Sequence, residues 1–114
     1  MVNHSRGVLT KDITTPEAKN AKIKILVGPD EGWDNHVMRE IIVDSGGYTP
    51  HHQHAWPHIN YILEGIGALR MEEDVFPVVA GSYAYVPAHT MHQFQNTGTE
   101  PFRFICIVPI EGHR

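Results

Sequence analysis

Apolar positions in this chain come in short runs, and where a period shows it is two. In 102–108, Phe102, Phe104, Cys106 and Val108 share one face of an extended segment while Arg103 takes the other. In 37–43 the odd positions Val37, Arg39, Ile41 and Val43 share a face, so a cation sits among aliphatic side chains. Helical periodicity is scarce. The pattern predicts strands near 22–27, 37–44, 59–63, 68–72, 82–86, 93–95 and 102–108, with a looser strand or two before Lys19. Turn signals fall at Gly28-Pro29-Asp30, Gly46-Gly47, Glu64-Gly65, Glu73-Asp74, Ala80-Gly81 and Asn96-Thr97-Gly98. Short, evenly spaced antiparallel strands predict an all-β domain, a closed or double-sheet jelly-roll β-barrel.

Length holds that prediction to one domain over residues 1–114, with 1–20 as an N-terminal strand or arm. A net charge of −4 and the absence of a Lys/Arg cluster interleaved with aromatics argue against a nucleic-acid partner. Cys106 is the only cysteine, which excludes an intramolecular disulfide and suits a reducing compartment. The first residues lack the pattern of a signal peptide, and no apolar run reaches membrane-spanning length, so the expectation is a cytoplasmic protein without a membrane partner.

Histidine adds the chemistry. His52, His54 and His58 cluster after Gly46, and His92 follows about thirty residues on. Neutral imidazole is the commonest protein ligand of first-row divalent metals. In an extended segment, residues two apart point to the same side, so His52 and His54 can grip one ion, and His58 repeats the parity. A second block reads Gly81, then Pro87, His89, His92 and Asn96.

The two blocks, 46–65 and 81–96, resemble the paired motifs of the cupin family, G(X)5HXH(X)3,4E(X)6G and G(X)5PXG(X)2H(X)3N. Gly46, His52, His54, Gly65, Gly81, Pro87, His92 and Asn96 fall on their places. The resemblance implies the cupin barrel (double-stranded β-helix) and one divalent transition metal per chain, Mn, Fe, Ni, Cu or Zn, held by His52, His54, His58 and His92. His58 stands where the family has glutamate, so four neutral ligands replace three and a carboxylate, and the ion keeps its full charge as a Lewis acid. His89 stands where the second motif has glycine, which predicts a turn that needs no positive φ.

Around that centre, Arg39, Phe94, Phe104 and Cys106 are the candidate pocket residues. Arg39 either lies at a strand end, pairs with an acid or faces a subunit contact, or stands in the pocket to hold a substrate carboxylate bidentately. Phe94 repeats the parity of His92, and Phe104 and Cys106 approach the cavity if their face is inward. Cys106 reads as a small buried hydrophobe, or as a site of oxidation should the metal activate oxygen. Trp56 caps the barrel mouth or packs at a rim or subunit contact; His51 and His89 stand beside the ligand set without joining it, or face solvent; Asn96 satisfies a turn.

Four ligands on a six-coordinate ion leave two vacancies, so the leading expectation is a dioxygenase-like oxidoreductase using O2 on a small organic substrate, with a redox-active metal favoured. A second is a metal-dependent isomerase, lyase or decarboxylase acting on a sugar or keto acid, and a third is a non-catalytic ligand-binding barrel. Outward Ile105 and Ile107 suggest a homodimer.

Overall fold

A computed structural model describes residues 1–113 of the chain. Nine strands carry it: β1 (Lys11–Asp12), β2 (Lys19–Val27), β3 (His36–Tyr48), β4 (His58–Glu64), β5 (Ile66–Met71), β6 (Asp74–Val79), β7 (Tyr83–Val86), β8 (His92–Asn96) and β9 (Phe102–Pro109). They form one antiparallel sheet in the order β6-β5-β8-β3-β9-β4-β7, with β2 also on β3 and β1 on β2. The sheet curls until β4 and β6 pack on each other, giving a nearly closed barrel. Among the described residues the only helices are short 3-10 turns, and no helix is long and apolar enough to cross a membrane.

Alternation decides what fills the barrel. Phe102, Phe104, Cys106 and Val108 are buried, and Val37, Ile41 and Val43 meet them across the β3–β9 ladder. Removing a side chain such as Phe102 or Phe104 from water contributes about 2 kcal/mol each. One row of the ladder runs Ile25, Arg39, Cys106, Asn60, Ala84 across five strands. This row delivers a cation, a thiol and an amide to the interior face.

The structure departs from the expected elements in three places. Strand β6 is not among the expected strands; its run contains Pro77, and as a sheet edge paired only with β5 it tolerates a residue that cannot donate to a ladder. Gly46-Gly47 does not end β3. The strand runs on to Tyr48 through a bulge, where Gly46 takes φ +77 and a Cβ on Gly47 would sit 2.5 Å from the Lys19 carbonyl. That bend lets β3 leave its pairing with β9 and reach Gln95 of β8.

The third departure is His89, which adopts φ +62, the left-handed conformation expected to be unnecessary there. A side chain in this region costs about 1 kcal/mol relative to glycine. The strain is held by the His89 amide, which donates to the His54 carbonyl at 2.7 Å and ties the two histidine blocks together.

Candidate metal centre and its cavity

Backbone pairing brings the two blocks together. His52 and His92 exchange amide-to-carbonyl hydrogen bonds of 3.2 and 2.9 Å as an isolated antiparallel bridge. Just upstream, Thr49 is laced to Phe94 through its amide and hydroxyl. The short segment before His54 is thereby fastened to β8, and β4 supplies His58 from the neighbouring wall. His52, His54 and His92 offer ring nitrogens all within 4.8 Å of one another, near enough to share one ion. The His58 and His92 rings lie 4.7 Å apart, and those of His54 and His58 5.4 Å.

Hydrogen bonds on the far side of each ring determine what these nitrogens are. His54 Nδ1 meets the Trp56 carbonyl at 3.0 Å, and His92 Nδ1 meets the Thr90 carbonyl at 2.8 Å. His58 Nδ1 meets Asn60 Oδ1 at 2.6 Å, the Asn60 amide being oriented by its Nδ2, which donates to the Ile105 carbonyl. A carbonyl oxygen only accepts, so each Nδ1 carries the proton and each Nε2 of the neutral ring is a bare lone pair. Yet Nε2 of His58 and Nε2 of His92 are 3.0 Å apart. Two lone pairs at that distance repel unless an electrophile lies between or beside them. The donor set fits a divalent transition metal, with ligand rings oriented by acceptors behind them.

Burial acts in the same direction. It holds His58 and His92 down to about 4, and lowers His52 and His54 as well, with neighbouring imidazoles and, at His54 and His58, the charge of Arg39 adding to the effect. Neutral imidazole is the ligating form.

A cavity of about 290 Å³ adjoins the four rings. Arg39, Phe94, Phe104 and Cys106 all line it, with Ile13, Ile23 and Ile41 completing an apolar wall. Phe94 and Phe104 stack at 4.2 Å. Arg39 Nη2 donates to Cys106 Sγ at 3.2 Å. Trp56 also lines the cavity, stacked on His54 at 4.7 Å and seated on Gly112, where a Cβ would come within 2.4 Å of the indole nitrogen. His51 and His89 are exposed and do not line it. Asn96 binds the Val43 and Glu100 carbonyls and accepts from the Gly98 amide, so its work is structural.

Asn60, which hydrogen-bonds His58 and lines the cavity, is a position that sequence reasoning missed. Its signal was available: His58, Asn60 and Ile62 share parity, and an amide on the buried face of a strand needs a partner.

Because folded His58 and His92 bind protons only near pH 4 while unfolded histidine binds them near 6.5, the unfolded chain holds more protons between those values. Stability of the metal-free protein therefore falls as pH drops from about 6.5 to about 4 and is level above that window. Urea midpoints measured across pH 4.5–7.5 check this, with a flatter profile expected for His58→Gln; a level wild-type profile contradicts it.

The pattern of the cupin domain (Cupin_2) matches residues 39–108. The polyketide cyclase RemF of Streptomyces resistomycificus superposes with a TM-score of 0.89 at 28% identity, over 96% of this chain and 78% of its own. An uncharacterised protein of Methanocaldococcus jannaschii is 36% identical over 60% of this chain and 56% of its own length. A glucose-6-phosphate isomerase of Thermococcus kodakarensis is 36% identical over 58% of this chain and 40% of its own. The chain thus spans about half the length, or less, of these two relatives. With the family's pattern covering more than half of the chain and both histidine blocks, the chain belongs to the cupin domain family.

Proposed function

We propose that this chain is a mononuclear-metal enzyme in which His52, His54, His58 and His92 hold one divalent transition metal ion, Mn, Fe, Ni, Cu or Zn, beside a chamber for a small organic substrate. The observation that carries the reading is the 3.0 Å approach of two unprotonated Nε2 atoms, those of His58 and His92. Bound at these nitrogens, a divalent ion supplies a Lewis acid that polarises a carbonyl or enol oxygen. The chain's own groups do the rest. Phe94, Phe104 and Trp56 keep bulk water from the reacting carbon. Among the described residues no carboxylate lines the cavity, and the ring nitrogens are committed, so a proton leaving the substrate passes to water at the His52 rim.

Such a site suits non-oxidative chemistry at an enolisable carbon: cyclisation, isomerisation or decarboxylation. The names of the relatives, a polyketide cyclase and a sugar-phosphate isomerase, are in keeping with that class. The second reading is a dioxygenase-like oxidoreductase taking O2 and an organic substrate with a redox-active metal. The apolar wall favours it, since dioxygen partitions into such a space. The two separate on one comparison. Protein loaded with zinc, or with iron, manganese, nickel or copper, is given enolisable diketones and keto acids with and without oxygen. We expect turnover with zinc under anaerobic conditions, lost with the metal in His58→Ala and His92→Ala by about a hundredfold or more. Oxygen uptake confined to the redox metals selects the second reading; a protein that binds no metal and turns nothing over refutes both, leaving a non-catalytic barrel.

The proposal extends to a homodimer. On the outer face, Ile59, Tyr61, Tyr83 and Tyr85 are exposed on the paired strands β4 and β7, Tyr83 at 81%, with Ile105 and Ile107 of β9 continuing the patch. A two-fold contact between copies removes such a patch from water on both partners at once. Light scattering at micromolar concentration is expected to give twice the 12.9 kDa chain mass, reduced to one chain by Tyr61→Glu; a monomeric wild type contradicts the dimer.

A further inference from the structure

Two arginines on neighbouring strands are treated in opposite ways. Arg103, on the outer face, is held by Glu40 at 2.9 Å and Glu64 at 2.8 Å, Glu40 being only 1% exposed. Arg39, on the inner face, has no carboxylate partner among the described residues. One amino group donates to the Cys106 sulfur, a weak acceptor, and its Nε–H is buried with no acceptor among the described residues. A buried donor on a charged group is costly to leave unmade, and a guanidinium offers its donors as a planar fork matched to two oxygens.

The surroundings say what that fork is for. Among the described residues the cavity holds Arg39 and four imidazoles, no Asp or Glu, and walls of Ile, Phe and Trp. Thr15, Thr49, Asn60, the Cys106 thiol and the Trp56 indole N–H are its other polar groups there, and Thr49 and Asn60 are already engaged, Thr49 with β8 and Asn60 with His58. A ligand rich in hydroxyls would leave most of them unpaired. An anion with an apolar body satisfies every wall at once.

We propose that Arg39 is the anchor of an anionic subsite, so that the ligand of this cavity is an organic acid with an aromatic or otherwise apolar body, its carboxylate or ionised enol taken by the guanidinium. The inference rests on the reading of this cavity as the substrate chamber, and it puts polyols and neutral compounds outside the substrate class. The anion completes the missing acceptors of Nε and Nη, and the Phe94–Phe104 stack receives the body.

The test uses the full chain, labelled with 15N, loaded with zinc and again after chelation. Benzoate, its neutral isostere benzamide, and the hydroxylated anion gluconate are titrated while the Arg39 Nε–H resonance is followed, assigned by its loss in Arg39→Lys. We expect benzoate to shift that resonance saturably in both forms, with benzamide and gluconate binding at least about tenfold more weakly. Calorimetry is expected to show benzoate weakened at least about tenfold in Arg39→Gln, and also in Arg39→Lys, which keeps the charge but loses the fork. Equal binding of benzamide, an unmoved Arg39 resonance, or unchanged affinity in both variants overturns the proposal. If one variant fails to fold, the wild-type resonance and the benzamide comparison still decide. Zinc content of the same samples is read separately: a chain that binds zinc but not benzoate loses the anchor and keeps the metal reading, while one that binds benzoate but not zinc does the reverse.

Discussion

The reciprocal backbone pairing of His52 with His92 is the constraint on which the site depends, because it joins two blocks of chain separated by the β4-to-β7 portion of the barrel. A loop alone would not hold imidazoles within a few ångströms of one another against their mutual repulsion when protonated. Two backbone hydrogen bonds at the bridge, and a third from His89 to the His54 carbonyl, place the rings before any ion arrives. The left-handed turn at His89 is part of that arrangement, and its strain is set against a hydrogen bond that fastens the second block to the first.

Preorganisation then extends outward. Each of His54, His58 and His92 spends its Nδ1 proton on an acceptor, Trp56 O, Asn60 Oδ1 or Thr90 O, so the nitrogen left free for a ligand is chosen by the protein. The ladder row through Arg39, Cys106 and Asn60 sets the polar pattern of the interior: an amide supporting the His58 ring, a thiol, and a guanidinium without a carboxylate partner among the described residues. The outer face of the same strands uses the opposite solution, enclosing Arg103 between two carboxylates. Arg39 is half-buried, and its Nε–H is shut from water with no acceptor among the described residues.

Much of this was legible in the sequence, for identifiable reasons. Period-two alternation in 102–108 and 37–43 predicted the faces of β9 and β3, since a barrel wall has only two sides. The approach of His52, His54 and His92 was legible because residues two apart on an extended segment face the same side and the second block stands at a fixed spacing from the first. What escaped depends on context beyond the strand itself. The run that forms β6 contains Pro77, which only an edge position makes acceptable in a ladder, and an edge is a property of the whole sheet. Gly46-Gly47 reads as a turn, and only the need for β3 to pair with two different neighbours turns it into a bend. At His89, a glycine-like backbone persists with another side chain, because hydrogen bonding to a distant segment outweighs local preference. Asn60 occupies an unspecified position of the first motif, although its strand parity with His58 marked it.

The central claim is that four neutral imidazoles, His58 among them, converge on a single metal ion. X-ray absorption at the metal edge of the zinc-loaded protein tests it most directly, because imidazole rings give a distinct outer-shell signal behind nitrogen ligands at about 2.0–2.1 Å. The account predicts one ion per chain with four imidazoles in its shell, falling to three in His58→Ala. Three imidazoles in the wild type, with no change on losing His58, would contradict it.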